Sequence, residues 1–128
     1  MTTPLPIEDG VFYRTHHRNA QFGPEYARSS PVTATSAPER PGYSCFRNPH
    51  ELGRYMIEMG WIGDPLVDWD QHAVYRFRGA EIGRGADNEP LAMPLTSTPD
   101  EVMTWNEFQQ RLGATLIQMM PRSSGASR

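Results

Sequence analysis

The chain has 128 residues, 38% of them hydrophobic, with twelve Pro, eleven Gly and a formal net charge of −3 at pH 7. That length holds one domain with a real core rather than two, and a mean hydropathy of −0.61 leaves much of it as loop. The acidic balance argues against a duplex nucleic-acid binder, which needs surplus cations for phosphates, and no apolar run approaches membrane-spanning length.

Every basic residue is Arg, which fits the codon usage of a GC-rich genome. A single cysteine, Cys45, excludes an intrachain disulfide. With no signal-like apolar run, it leads us to expect a bacterial cytoplasmic protein.

Taken in chain order, residues 1–10 are polar with two prolines and read as a flexible tail. Val11 to His17 is β-branched and aromatic, a first strand over 11–17. Its alternation sends Val11, Tyr13 and Thr15 one way and Phe12, Arg14 and His16 the other. Residues 18–41 form a long, proline-punctuated N-terminal loop, with at most a short strand at 32–35; such a loop can flank a cleft.

A strand over 42–46 then leads into a helix over 49–59. Asn48 caps it, Pro49 suits its first turn, and Glu51 stands three after the cap. Leu52, Tyr55, Met56 and Met59 share one face, and Gly60 ends the helix. The next strand is predicted over 73–78. Gly79-Ala80-Glu81 reads as a tight turn, with residues 81–83 returning antiparallel. A short strand over 90–93 lies between prolines, which suits a sheet edge. A second helix over about 99–112 starts from Thr98-Pro99-Asp100-Glu101. A competing division makes Glu101 to Met103 a strand and caps the helix at Thr104, three before Glu107. Residues 121–128 read as a second flexible tail. The expected fold is therefore α+β: one domain over 11–120 with a small, mostly antiparallel sheet and two main helices.

The order of Tyr13-Arg14 on a strand, Gly42-Tyr43-Ser44-Cys45-Phe46 running into Asn48-Pro49-His50-Glu51-Leu52, and Asp87-Asn88-Glu89-Pro90-Leu91 after a Gly-rich turn resembles the ADP-ribosyltransferase fold. The members it resembles carry an arginine–serine–glutamate site. The resemblance implies NAD as cofactor, with Arg14 on its phosphates or ribose and Tyr43 and Ser44 shaping the nicotinamide pocket. It implies Glu89 as the catalytic carboxylate. The chemistry suits those residue types, since a guanidinium forks onto phosphate and a carboxylate stabilises a cation-like transition state.

Other patterns suggest other chemistry. Asp68, Asp70 and His72 alternate, so an extended chain would present them together to a divalent cation. Consecutive His16 and His17 point to opposite strand faces and cannot chelate together. Cys45, with Arg47 and His50 nearby, has the residue types of a thiolate nucleophile. The alternative to an enzyme is a non-catalytic protein-interaction module. Its partner would dock on Trp61, Trp69, Trp105 and the seven Met, with Trp61 as anchor.

Overall fold

The computed structural model describes residues 2–29, 40–58, 60, 69–85 and 87–120. The fold is α+β, a curled antiparallel sheet with two helices. Strand β1 (Val11–His17) pairs with the first half of β5 (His72–Arg84), from Val11 opposite Arg78 to His17 opposite His72. On the other side of that half lies β7 (Glu101–Met103). The second half of β5 leaves β1 and pairs with β6 (Pro90–Pro94), which in turn pairs with β4 (Tyr43–Ser44). Tyr13 and Phe46 then exchange two backbone hydrogen bonds of 2.8 and 2.9 Å, so the path β1-β5-β6-β4 closes on itself. A two-residue ribbon of β2 (Arg28–Ser29) and β3 (Arg40–Pro41) flanks β4. The strand considered at 32–35 lies outside the described residues.

Alternation along β1 sets up two cores. Val11 and Tyr13 pack with Leu52 and Met56 of α1 (Pro49–Glu58) and with Phe108 of α2 (Trp105–Met119). Phe12 turns inward, stacks on Phe77 at 5.9 Å and joins Tyr43, Cys45 and Ala92. The cap of α1 is formed as its sequence indicates. Asn48 Oδ1 accepts the His50 N–H at 2.9 Å, and Leu52 and Met56 are buried. Met59 lies outside the described residues.

Three expectations are corrected. Gly79-Ala80-Glu81 is not a turn, because β5 runs straight through it. A Cβ on Gly79 would lie 2.8 Å from the Met93 carbonyl, so this glycine marks a close backbone approach. The chain bends instead at a register shift between Glu81 and Gly83. The second helix begins later than about 99: Glu101–Met103 bond to β5, and Thr104 Oγ1 caps the helix by accepting the Glu107 N–H at 3.0 Å. That helix passes Gly113 and ends at Met119.

The third correction concerns β6, expected at a sheet edge but paired with β5 on one side and β4 on the other. Within residues 1–10, Leu5 is only 2% exposed and sits in the helix-side core. Its backbone N–H bonds to Thr115 Oγ1, the Tyr13 hydroxyl donates to the Pro6 carbonyl, and Arg111 Nε donates to the Thr3 carbonyl at 2.9 Å. Arg111 is itself buried, paired with Glu101 and, at 3.5 Å, with Glu107. One leucine and three polar tethers thus fix this segment to α2 and β1. Replacing Leu5 by Ala should cost about 2–4 kcal/mol of unfolding free energy, read from urea denaturation. Unchanged stability would mean that the segment contributes nothing to the core.

Candidate functional site

Arg14 lies in mid-β1, opposite Tyr75, on the face that carries Phe12 and His16. Its guanidinium carbon sits 4.2 Å over the Tyr43 ring. Nη1 donates to the Ser44 carbonyl at 3.4 Å, and Nε is buried without a partner. Among the described residues, no carboxylate reaches Arg14. The contrast is with Arg47 and Arg84 on Glu81, Arg76 on Glu101 and Arg78 on Asp100. Burial pulls the Arg14 guanidinium down to about 10, which still leaves it charged at neutral pH.

The surroundings are aromatic. His16 lies 4.7 Å from Tyr75 and 5.6 Å from Tyr43, ring to ring, and Phe22 stacks on Tyr43 at 5.2 Å. The Tyr43 hydroxyl is fixed between the Gln21 carbonyl and the Gly23 N–H, both at 3.3 Å. His16 Nε2 meets the Gln21 carbonyl at 3.3 Å, so that nitrogen bears the proton and Nδ1, buried without a partner, is bare. Burial, then the neighbouring Arg14 charge, pushes His16 down to about 4. The site thus holds one cation and a neutral imidazole.

Glu89 occupies a different setting. It precedes β6 and is 7% exposed, with Oε1 accepting the Asp87 N–H at 3.0 Å. The turn before it is closed by Gly85 N–H to Glu89 carbonyl at 2.8 Å, with Asn88 at φ 62°. The carboxylate rests on Gly85, where any Cβ would collide with it. Glu89 lines a polar groove of 330 Å³ with Arg47, Asn48, Glu51, Arg84 and Asp87. Neither Arg14 nor Ser44 lines that groove. The structure therefore brings Arg14 into direct contact with the Tyr43 ring and the Ser44 carbonyl, and places Glu89 in a separate groove.

Residues the sequence reading did not assign to the site are Tyr75, Phe22 and Glu81. Alternation in β5 puts Tyr75 on the Arg14 face, a signal already present in the two strand patterns. Phe22 lies in a loop and carries no such signal. Glu81 bridges Arg47 at 3.1 Å and Arg84 at 3.3 Å, pairings set by tertiary register.

Two alternatives lose their geometry. Cys45 is fully buried, donates to the Pro90 carbonyl at 3.6 Å, and burial pushes its thiol up to about 12. A thiol so held does not supply a thiolate near neutral pH. Asp70 lies in a 3₁₀ turn, Trp69–Gln71, so it does not alternate with His72; Asp68 is outside the described residues. Among the described residues, no three His, Cys, Asp or Glu side chains gather to hold a metal. His16 and His17 do diverge: His16 is buried, while His17 packs against His72 at 5.2 Å. Trp61, the expected docking anchor, lies outside the described residues. Trp105 stacks on Phe108 at 5.4 Å. No helix among the described residues is long and apolar enough to cross a membrane.

Comparison with protein-family models, with curated proteins and with solved structures finds no match to this chain.

The buried neutral His16 makes stability depend on pH. Its folded pKa is lowered from 6.5 to about 4, so the unfolded chain binds the extra proton in that window. Its contribution is fully present above about pH 6.5 and is lost as pH falls towards 4. Unfolding free energy should drop by about 2 kcal/mol from pH 7 to pH 5 through this group. His16→Gln should flatten most of that slope, with His50, also lowered by burial, supplying part of the remainder. An unaltered slope in the variant would place the linkage elsewhere.

Proposed function

We propose that this domain binds NAD in the manner of an ADP-ribosyltransferase-like fold, with Arg14 as its anionic anchor. The observation that carries the reading is a half-buried, charged arginine whose Nε is buried without a partner and which no carboxylate of the described residues neutralises. A guanidinium withdrawn from water in this way gains most from an incoming phosphate oxygen. The Tyr43 ring behind it and the Ser44 carbonyl beside it fix the fork's plane and direction.

Glu89 fits the second half of the reading. It stands two residues before Leu91, the ladder partner of Ser44, about 7 Å along the strand. A dinucleotide is long enough to span both. In that pose the Glu89 carboxylate supports the ribose as the glycosidic C–N bond breaks. Nicotinamide leaves with the bonding pair, and an acceptor or water attacks the ribose carbon and gives up its proton. Glu89 acts on the positive charge that develops in that step, whereas Arg14 acts on bound phosphate throughout.

The two residues should therefore separate in experiment. In a heteronuclear NMR titration, NAD should shift resonances around Arg14, Tyr43, Ser44 and Glu89. Arg14→Ala should weaken binding by about tenfold or more, as expected for losing a charge-assisted bond. Glu89→Gln should bind within about twofold of wild type yet release no nicotinamide. Absence of shifts at millimolar NAD, or wild-type affinity in Arg14→Ala, would refute the proposal.

A further inference from the structure

The face formed by α1 and α2 lies away from the Arg14 site and carries a separate signal. Between the two helices runs a groove of 450 Å³ walled mainly by Gly53, Ile57, Trp105, Leu112, Gly113 and Leu116. Beside it stands an apolar ridge. Ile57 is 63% exposed and Ile117 73%, and Leu116, Met119 and Met120 are each more than half exposed. Single exposed apolar residues are ordinary, but a contiguous set on one face marks an interface.

Charge narrows what the partner is. From Phe108 to Met120, α2 and its cap carry one charged residue, Arg111, which is buried against Glu101, Glu107 and Thr3. A strongly acidic or basic partner would find nothing to pair with there. On α1 the exposed charges bracketing Ile57 are Arg54 and Glu58, one of each sign and one turn apart. An antiparallel copy of α1 sets Arg54 against Glu58, and Glu58 against Arg54, without any further requirement.

We propose that the α1–α2 face joins two copies of this chain about a two-fold axis passing beside Ile57. Groove and ridge lie side by side on one surface, so each copy presents what the other lacks, the condition for an isologous contact.

The test is sedimentation equilibrium of the full chain from about 1 µM to about 500 µM. The expected species at the upper end has twice the 14.5 kDa chain mass. Ile117→Glu, at a solvent-exposed position, should keep the wild-type melting temperature and give a monomer throughout. Arg54→Glu alone should weaken association on the order of tenfold, because both symmetry-related pairs become repulsive. Arg54→Glu combined with Glu58→Arg should restore it to within about threefold. A monomer at every concentration overturns the proposal, as does a dimer indifferent to Ile117→Glu or a charge swap that fails to restore association. Should the monomer's Ile57 and Leu116 resonances move when residues 121–128 are removed, the occupant is the chain's own C-terminal segment rather than a second copy.

Discussion

Two backbone hydrogen bonds between Tyr13 and Phe46 decide the character of this fold. Without them the strands would form an open sheet, with β1 and β4 both at edges and their polar groups turned to water. With them, β4 is drawn against β1, and the residues that follow Tyr13 and precede Phe46 are pressed together. Arg14 is next to Tyr13 in the chain, and Tyr43 and Ser44 come just before Phe46. Closure of the sheet is thus also assembly of the candidate site.

The energetic consequence is a charge in an expensive place. Lowering the Arg14 guanidinium from 12.5 to about 10 corresponds to a penalty on the order of 3 kcal/mol against the charged form. The Tyr43 face and one carbonyl bond return part of this, and no acid among the described residues returns the rest. The pattern on the opposite side of the molecule is different. Arg111 is more deeply buried, and it is tied to Glu101, Glu107 and Thr3, so that it holds the N-terminal segment, β7 and α2 together. The buried Arg111 is therefore explained by the fold, and the half-buried Arg14 is not. That contrast is why the functional reading rests on Arg14.

Local chemistry made several elements legible in the sequence. The alternation of β1 is visible in Val11 to His16, and the cap and apolar spacing of α1 are visible in Asn48 to Met56. Where the sequence misled, a non-local contact decided the outcome. Thr98 and Thr104 both look like helix caps; pairing of Val102 with Tyr75 across β7 and β5 selects the second. Gly79 looks like a turn residue until β6 is laid beside it. Leu5 has no apolar periodicity around it, so nothing local announces that it enters the core. The same holds for the site. Strand alternation alone groups Arg14 with His16, whereas its contact with the Tyr43 ring and the Ser44 carbonyl depends on the Tyr13–Phe46 closure, which no local pattern shows. The bridging of Arg47 and Arg84 by Glu81 depends on how β5 bends, which composition does not encode.

The claim at the centre of this account is that Arg14 is kept for a ligand rather than for the fold. Its most direct test is the unfolding free energy of Arg14→Met in the absence of any ligand, measured by urea denaturation beside wild type. A side chain of similar length without the charge removes the desolvation penalty and keeps the packing against Tyr43. The account predicts stability equal to wild type or higher by about 1–2 kcal/mol. A loss of several kcal/mol would contradict it, because Arg14 would then be a structural residue that the sheet needs in order to close.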